Sequence, residues 1–158
     1  MRVSAKTDYA VRAAAELAAS PDGPTKGERL AEAQDIPLQF LEHILLDLKH
    51  AGIVRARRGA KGGYWLAKPA EEVSIADVIR AVEGPIAHVQ SAPPESIHYR
   101  GSAVQLQTVW IAVRASLRSV LESVSLAELV SDELPDHVQE LADSKDAWLP
   151  ADAASRHK

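Results

Sequence analysis

Cysteine is absent from the 158-residue sequence, and the sequence has no long hydrophobic run. The chain therefore has no disulfide bond, no thiolate nucleophile and no cysteine ligand for a metal or an iron–sulfur cluster, and it suits a reducing compartment. The polar N-terminus lacks the apolar core of a signal peptide, and no window is apolar enough to span a bilayer. We expect a soluble cytoplasmic protein with no membrane partner.

Catalytic patterns are also missing. The polar residues show no nucleophile–base spacing, and the segment Gly59–Gly63 neither has the residue order of a phosphate-binding loop nor opens a helix. The sequence predicts that the chain is not an enzyme, and it indicates no cofactor. Its length allows one domain with a hydrophobic core, plus an appended oligomerisation element.

Charge is distributed unevenly along the chain, whose net charge is −4. Residues 1–68 carry 11 basic and 8 acidic side chains, whereas residues 69–158 carry 7 basic and 14 acidic ones. Electrostatic attraction to phosphate is screened over about 8 to 10 Å at physiological salt, so a local patch matters more than the total. The basic first half is therefore the place to look for a nucleic-acid site.

A helix-turn-helix is predicted in this first half. An alanine-rich helix over Ser4–Ala19 ends at a turn, and a short second helix covers Lys26–Gln34. The third helix, Leu38–Ala51, has a polar face and one apolar face at three-and-four spacing, formed by Leu41, Ile44, Leu45 and Leu48. Taken alone, these segments fit a generic helical pair equally well.

A basic hairpin follows the third helix. Strands are predicted at Ile53–Arg57 and Tyr64–Ala67, joined by a loop that contains glycine and lysine. Alone, its arginines fit a solvated hairpin face. After a helix-turn-helix they indicate a wing, whose cations approach phosphates or the minor groove while glycine keeps the backbone thin. We expect a mainly α protein with a small β-hairpin wing, an α+β winged helix-turn-helix.

Three motifs stand out in the chain: LQFLEHILLDLKHAGIV from Leu38, RGAKGGYWL from Arg58 and VSIADVIRAVEGP from Val73. In these motifs the sequence resembles the Rrf2 family of bacterial winged-helix regulators, and the resemblance extends over about Met1–Val130. It implies a sequence-specific transcriptional regulator, most often a repressor, that acts as a homodimer. We expect a DNA-binding domain at residues 1–84.

The expected sensor position departs from the family pattern. Residues 85–101 form an irregular loop, where well-known relatives carry three cysteines that hold an iron–sulfur cluster. The resemblance places these cysteine positions near Ala92, His98 and Val104, so no such cluster can be held. His88 and His98 with Glu95 lack a recurring metal-ligand spacing, so no metal site is predicted. We therefore expect the effector to be a small molecule or a protein partner.

A heptad-like seam marks the helix expected over residues 102–124. Its members are Leu106, Trp110, Val113, Leu117, Val120 and Val124. An internal helix would show the same pattern, but a wide apolar face after a complete winged unit favours a dimerisation helix, as the family resemblance implies. Ser125 and Glu128 form a capping box for a short helix that completes residues 102–131. An acidic, partly disordered tail is expected at 132–158, with disorder at Ala151–Lys158.

Candidate DNA contacts divide by position. Base-edge contacts are expected from Gln39, Glu42 and His43, wing contacts from Arg57, Arg58 and Lys61, and phosphate contacts from Thr25, Lys26 and Lys49. A dimer would read a palindromic operator on double-stranded DNA. Asp47 lies where several relatives carry a basic side chain, and its carboxylate would repel phosphate unless a cation pairs with it. The alternative is a protein-interaction module whose basic hairpin binds an acidic protein.

Overall fold

The computed structural model describes residues 2–149. This part contains seven α-helices and one antiparallel pair of strands: α1 Ala5–Ala19, α2 Gly27–Gln34, α3 Leu38–His50, β1 Val54–Arg57, β2 Gly63–Leu66, α4 Ile75–Glu83, α5 Leu106–Leu121, α6 Leu126–Ser131 and α7 Asp136–Asp143. The arrangement confirms the predicted mainly helical winged helix-turn-helix. Among these residues, no helix is both long and apolar enough to cross a membrane. The disorder predicted for Ala151–Lys158 lies outside the described residues.

Helix α1 is the centre of the N-terminal core. Ser4 caps it by accepting a hydrogen bond from the Thr7 amide at 3.0 Å, which satisfies one of the free amides of the first turn. Its buried face consists mainly of alanine, at Ala10, Ala13 and Ala14. Because these side chains are small, α3, α4 and α6 all pack against α1.

The helix-turn-helix is formed by α2 and α3. Asp35 adopts a left-handed conformation with φ 49° and ends α2, and the buried Ile36 anchors the turn. The four apolar residues predicted for the third helix, Leu41, Ile44, Leu45 and Leu48, are all buried. Their burial fixes α3 on the core and leaves its polar face in solvent.

The wing contains a second backbone pairing that the sequence did not predict. Strands β1 and β2 pair in the register Val54↔Leu66 to Arg57↔Gly63. Thr25, just before α2, adds to the outer edge of β2, because the amides of Thr25 and Tyr64 each donate to the other residue's carbonyl at 2.8 Å. The wing is therefore attached directly to the start of the helix-turn-helix.

The chain leaves the core after α4 and returns to it at α6. Both helices begin with capping boxes, Ser74 with Asp77 and Ser125 with Glu128. The two starts also pair, because the Leu126 amide donates to the Val73 carbonyl at 2.8 Å. The sequence grouped this short helix with the long one. Leu126 at the start of the short helix, however, is fully buried in the N-terminal core, and the helix packs against α1.

Helix α5 lies outside this core and has no buried residue. The predicted seam residues within it, Leu106, Trp110, Val113, Leu117 and Val120, are half-buried by their own chain. The sixth, Val124, is a correction: it follows the end of α5, is only 2% exposed and packs inside the protomer. Val124 is consequently not available to a partner surface.

Candidate nucleic-acid interface

The outward face of α3 carries the residues predicted to read bases. Gln39, Glu42 and His43 are exposed, and at about 100° per residue they share one side of the helix. Leu46 lies on the same side with 47% of its surface exposed. The candidates predicted from the sequence on this face were all polar side chains, so Leu46 was not among them. An apolar side chain on this face can contact the methyl group of thymine.

A groove of about 480 Å³ separates α3 from the wing. Its wall brings together five of the nine residues predicted to contact DNA, although they lie up to 32 positions apart in the sequence: Lys26, Glu42, Lys49, Arg57 and Arg58. Glu28 also lines the groove, so the lining carries both signs of charge, with more cations than carboxylates. Gln39, His43 and Lys61 lie outside the lining, and all three are exposed.

Two of the groove cations hold the wing in shape. Lys26 Nζ donates to the carbonyl of Gly59 at 2.6 Å, and the Arg57 guanidinium donates to the carbonyl of Lys61 at 2.9 Å. Thr25 contributes through its backbone pairing with Tyr64. Arg58 makes no side-chain hydrogen bond within residues 2–149, and its side chain is exposed. Arg58 is therefore available to a ligand, whereas Lys26 and Arg57 also stabilise the wing through their hydrogen bonds.

Glycine is required at two wing positions. A Cβ on Gly62 would lie 2.0 Å from the carbonyl oxygen of Arg57, and a Cβ on Gly63 would lie 2.6 Å from the carbonyl oxygen of Thr25. Gly63 also has φ 147°, a conformation that side chains disfavour. Gly62 lets the hairpin loop close on the end of β1, and Gly63 lets β2 lie directly against the chain before α2.

The groove cations are not neutralised by ion pairs. Within the described residues, the ion pairs involve Lys6, Arg12, Arg80, Arg114 and Arg118, and none involves Lys26, Lys49 or a wing cation. Asp47 pairs with Lys6 at 2.8 Å, so the carboxylate expected to repel phosphate has a cation beside it. The positive charge of the groove is left to attract a polyanion.

The loop between α4 and α5 is fixed to α5. It contains an isolated pairing of Val89 with Ala92 and a short 3-10 helix over Pro94–Ser96. The side-chain amide of Gln107 donates to the carbonyls of Pro94, Glu95 and Ile97 at 3.3, 3.2 and 2.7 Å. A single α5 side chain thus holds the centre of the expected sensor loop.

Comparisons with known proteins agree with this geometry. A family model, Rrf2, described as an iron-dependent transcriptional regulator, matches residues 3–132. An HTH-type transcriptional regulator of Mycobacterium tuberculosis is 47% identical over 99% of both chains. The HTH-type transcriptional regulator CymR of Bacillus subtilis is 33% identical over 83% of this chain and 91% of its own.

Solved structures show the same likeness. The structure of CymR, the global cysteine regulator of B. subtilis, has a TM-score of 0.71 at 31% identity and covers 84% of this chain and 98% of its own. The structure of IscR from T. potens has a TM-score of 0.68 at 33% identity, over 84% of this chain and 88% of its own. The family model and these relatives confirm the sequence prediction of a transcriptional regulator of this family.

The donor atoms do not fit the iron named in that family description. Iron–sulfur clusters are held by cysteine thiolates, and the chain has none. Between residues 2 and 149, no group of three or more histidine and carboxylate side chains is placed to hold a metal ion. The ring of His98 contacts the backbone carbonyl of Ser96 at 3.3 Å. Nothing in this loop supplies the ligands of an iron site.

Proposed function

The chain belongs to the Rrf2 family of transcriptional regulators, and we propose that it is a repressor that binds a palindromic DNA operator as a homodimer. The observation that carries this proposal is the groove between α3 and the wing, where cations from three parts of the chain converge without carboxylate partners. This arrangement suits a recognition helix in the major groove with a wing beside it. The iron–sulfur cluster has no part in the proposal.

The proposed contacts differ in what they contribute. Gln39 and Glu42 read base edges, because glutamine pairs with adenine and glutamate accepts from the cytosine amino group. His43 lies beside them on the same face. Arg58 and Lys61 bind phosphates or the minor groove from the wing. Thr25, Lys26, Lys49 and Arg57 complete the backbone contacts.

DNA binding tests the reading surface. We expect Arg58→Ala to weaken specific binding by about tenfold, since one good arginine contact is worth about 1–3 kcal/mol. Glu42→Ala should instead narrow the difference in affinity between operator and competitor DNA. The change removes a carboxylate that reads a base, which lowers specificity, and the same carboxylate repels phosphate, so overall affinity falls less. Fluorescence anisotropy on the chain's own promoter region, measured over a range of salt concentrations, separates the two effects.

The matched control is Arg100→Ala, which removes the same charge from an exposed position outside the groove. It should retain the affinity of the unmodified protein. Binding to the promoter region that does not exceed binding to competitor DNA would contradict the proposal. Tight, salt-insensitive binding to an acidic protein instead would favour the interaction-module alternative.

Helix α5 is proposed as the dimer contact. Leu117 and Leu121 face the body of the protomer, where they line a cavity with Ile79. Val109 lies on the other edge of the apolar seam and is 49% exposed. A helix of 16 residues that buries none of them in its own protomer needs further apolar contact. A second α5 supplies it, with Val109, Val113 and Val120 at the free edge.

Replacing Val109 with aspartate is expected to raise the dissociation constant of the homodimer by at least about tenfold, because an unpaired carboxylate would be buried between two apolar faces. The fold of the protomer should survive, since the side chain is half exposed within it. Sedimentation equilibrium measures the dissociation constant. Ala115→Asp, an exposed position about 120° around the helix, is the matched control. Equal dissociation constants for both variants would place the interface elsewhere.

A further inference from the structure

A second cavity, of about 440 Å³, lies between the end of α4, the loop that follows it and α5. Its polar wall is entirely cationic or imidazole: Arg80 comes from α4, His88 from the loop, and Arg114 and Arg118 from successive turns of α5. Gly84, Pro85 and Ile86 supply the rest of the lining. No carboxylate lines this space, and its volume falls within the range of small-molecule sites, about 300–1,000 Å³.

Carboxylates outside the lining hold these arginines in place. Arg114 donates to Glu95 at 2.7 Å, and Arg118 donates to Glu122 at 2.8 Å through Nε. Arg80 donates to the same Glu122 and also to Asp77 at 3.5 Å. A hydrogen bond from its own backbone amide and then Arg114 lower the pKa of Glu95. Arg118 and then Arg80 lower the pKa of Glu122. Both carboxylates therefore stay ionised at neutral pH.

This arrangement leaves donors free. A guanidinium has five N–H donors, and its fork geometry matches the oxygens of carboxylates and phosphates. Glu95 engages one terminal nitrogen of Arg114, and Glu122 engages only Nε of Arg118. The other N–H groups of these two side chains are not used in hydrogen bonds within residues 2–149. Arg114 is also only 21% exposed, so part of its desolvation has already occurred on folding.

We propose that this cavity binds a small oxyanion, a dicarboxylate or a phosphate monoester, which acts as the effector of the regulator. Glu122 joins Arg80 to Arg118, as in a structural ion-pair network, but these pairs leave other N–H groups of Arg114 and Arg118 free. Here Glu95 and Glu122 lie outside the lining, while the cationic groups converge on an open space. An oxyanion with two charges can accept charge-assisted hydrogen bonds from the free N–H groups of Arg114 and Arg118 at once.

The position of the cavity allows the bound ligand to change the affinity of the protein for DNA, and this part of the inference rests on the proposed function. Arg80 belongs to α4, whose Val78 and Val82 are buried in the DNA-binding core. Arg114 and Arg118 belong to α5, the proposed dimer contact. A ligand held between them favours one placement of α5 relative to the core, and so one spacing of the two recognition helices.

Isothermal titration calorimetry on the full chain tests the site, with succinate and inorganic phosphate as separate probes in buffers of matched ionic strength. We expect at least one probe to bind with a dissociation constant of about 1 mM or lower. Arg114→Gln and Arg118→Gln should each weaken it by at least about tenfold, because each removes charge-assisted hydrogen bonds to the ligand. The stronger probe identifies the class of oxyanion.

Arg100→Gln, an exposed change outside the lining, is the matched control and should bind like the unmodified protein. Circular dichroism confirms that each variant is folded before titration. Failure of both probes to bind, or unchanged binding in Arg114→Gln and Arg118→Gln, overturns the site. Oxyanion binding that leaves DNA affinity unchanged overturns the effector role. Oxyanion binding by a chain that binds no DNA contradicts the proposed function and leaves the site standing.

Discussion

Replacing Gly63 with alanine is expected to reduce operator affinity on the order of 100-fold, since several wing contacts of about 1–3 kcal/mol each would be lost together. The added Cβ would lie 2.6 Å from the carbonyl oxygen of Thr25, and this neighbour is backbone that cannot rotate away. The reciprocal 2.8 Å hydrogen bonds between Thr25 and Tyr64 must then break. The wing would move away from the start of α2, and Arg58 would leave the groove.

The same substitution should lower the free energy of unfolding by about 2–4 kcal/mol, from two lost hydrogen bonds and backbone strain. Gly59→Ala is the matched control in the same hairpin: its φ is 103°, but an added Cβ would meet no atom within 4 Å. It should show a conformational cost of about 1 kcal/mol or slightly more and retain most of the DNA affinity. Similar DNA affinities for the two variants would mean that wing position does not matter for binding.

Replacing Leu126 with alanine is expected to destabilise the whole N-terminal core by about 2–5 kcal/mol, because a fully buried leucine leaves a cavity when it is truncated. For a chain of this length the midpoint of thermal unfolding should fall by about 5–15 °C. The effect is large for a residue more than 40 positions beyond α4. It follows from the packing of α6 on α1.

Leu141→Ala serves as its control, because that leucine in α7 is 57% exposed and its truncation should change stability by no more than about 0.5 kcal/mol. Both variants are compared by thermal and urea unfolding at one protein concentration, since dimerisation would add a concentration-dependent contribution. A small loss for Leu126→Ala would show that α6 is separable from the core.

The proposed DNA-reading wing and the loop at the expected sensor position differ in how closely they resemble the family. The wing keeps the residues RGAKGGY and the geometry that needs them, with two glycines in close backbone contact. The loop before α5 has no cysteine and instead borders a cavity lined by arginines.

The sequence by itself determined the helix-turn-helix, the hairpin and the capped starts of α4 and α6. These features are local: the three-and-four spacing of Leu41, Ile44, Leu45 and Leu48 defines one helical face, and a capping box needs only residues three apart. The absence of cysteine likewise needed no structure to exclude an iron–sulfur cluster of the usual kind.

Only the tertiary structure decided which distant groups meet. The pairing of Thr25 with Tyr64, of Lys6 with Asp47, and of Arg80 with Glu122 joins residues 39 to 42 positions apart, and no local periodicity encodes such contacts. The heptad spacing included Val124 in the seam because it counts residues and does not detect where a helix ends. Packing against α1 placed Leu126 in the core, and the convergence of α4 and α5 placed three arginines around one cavity.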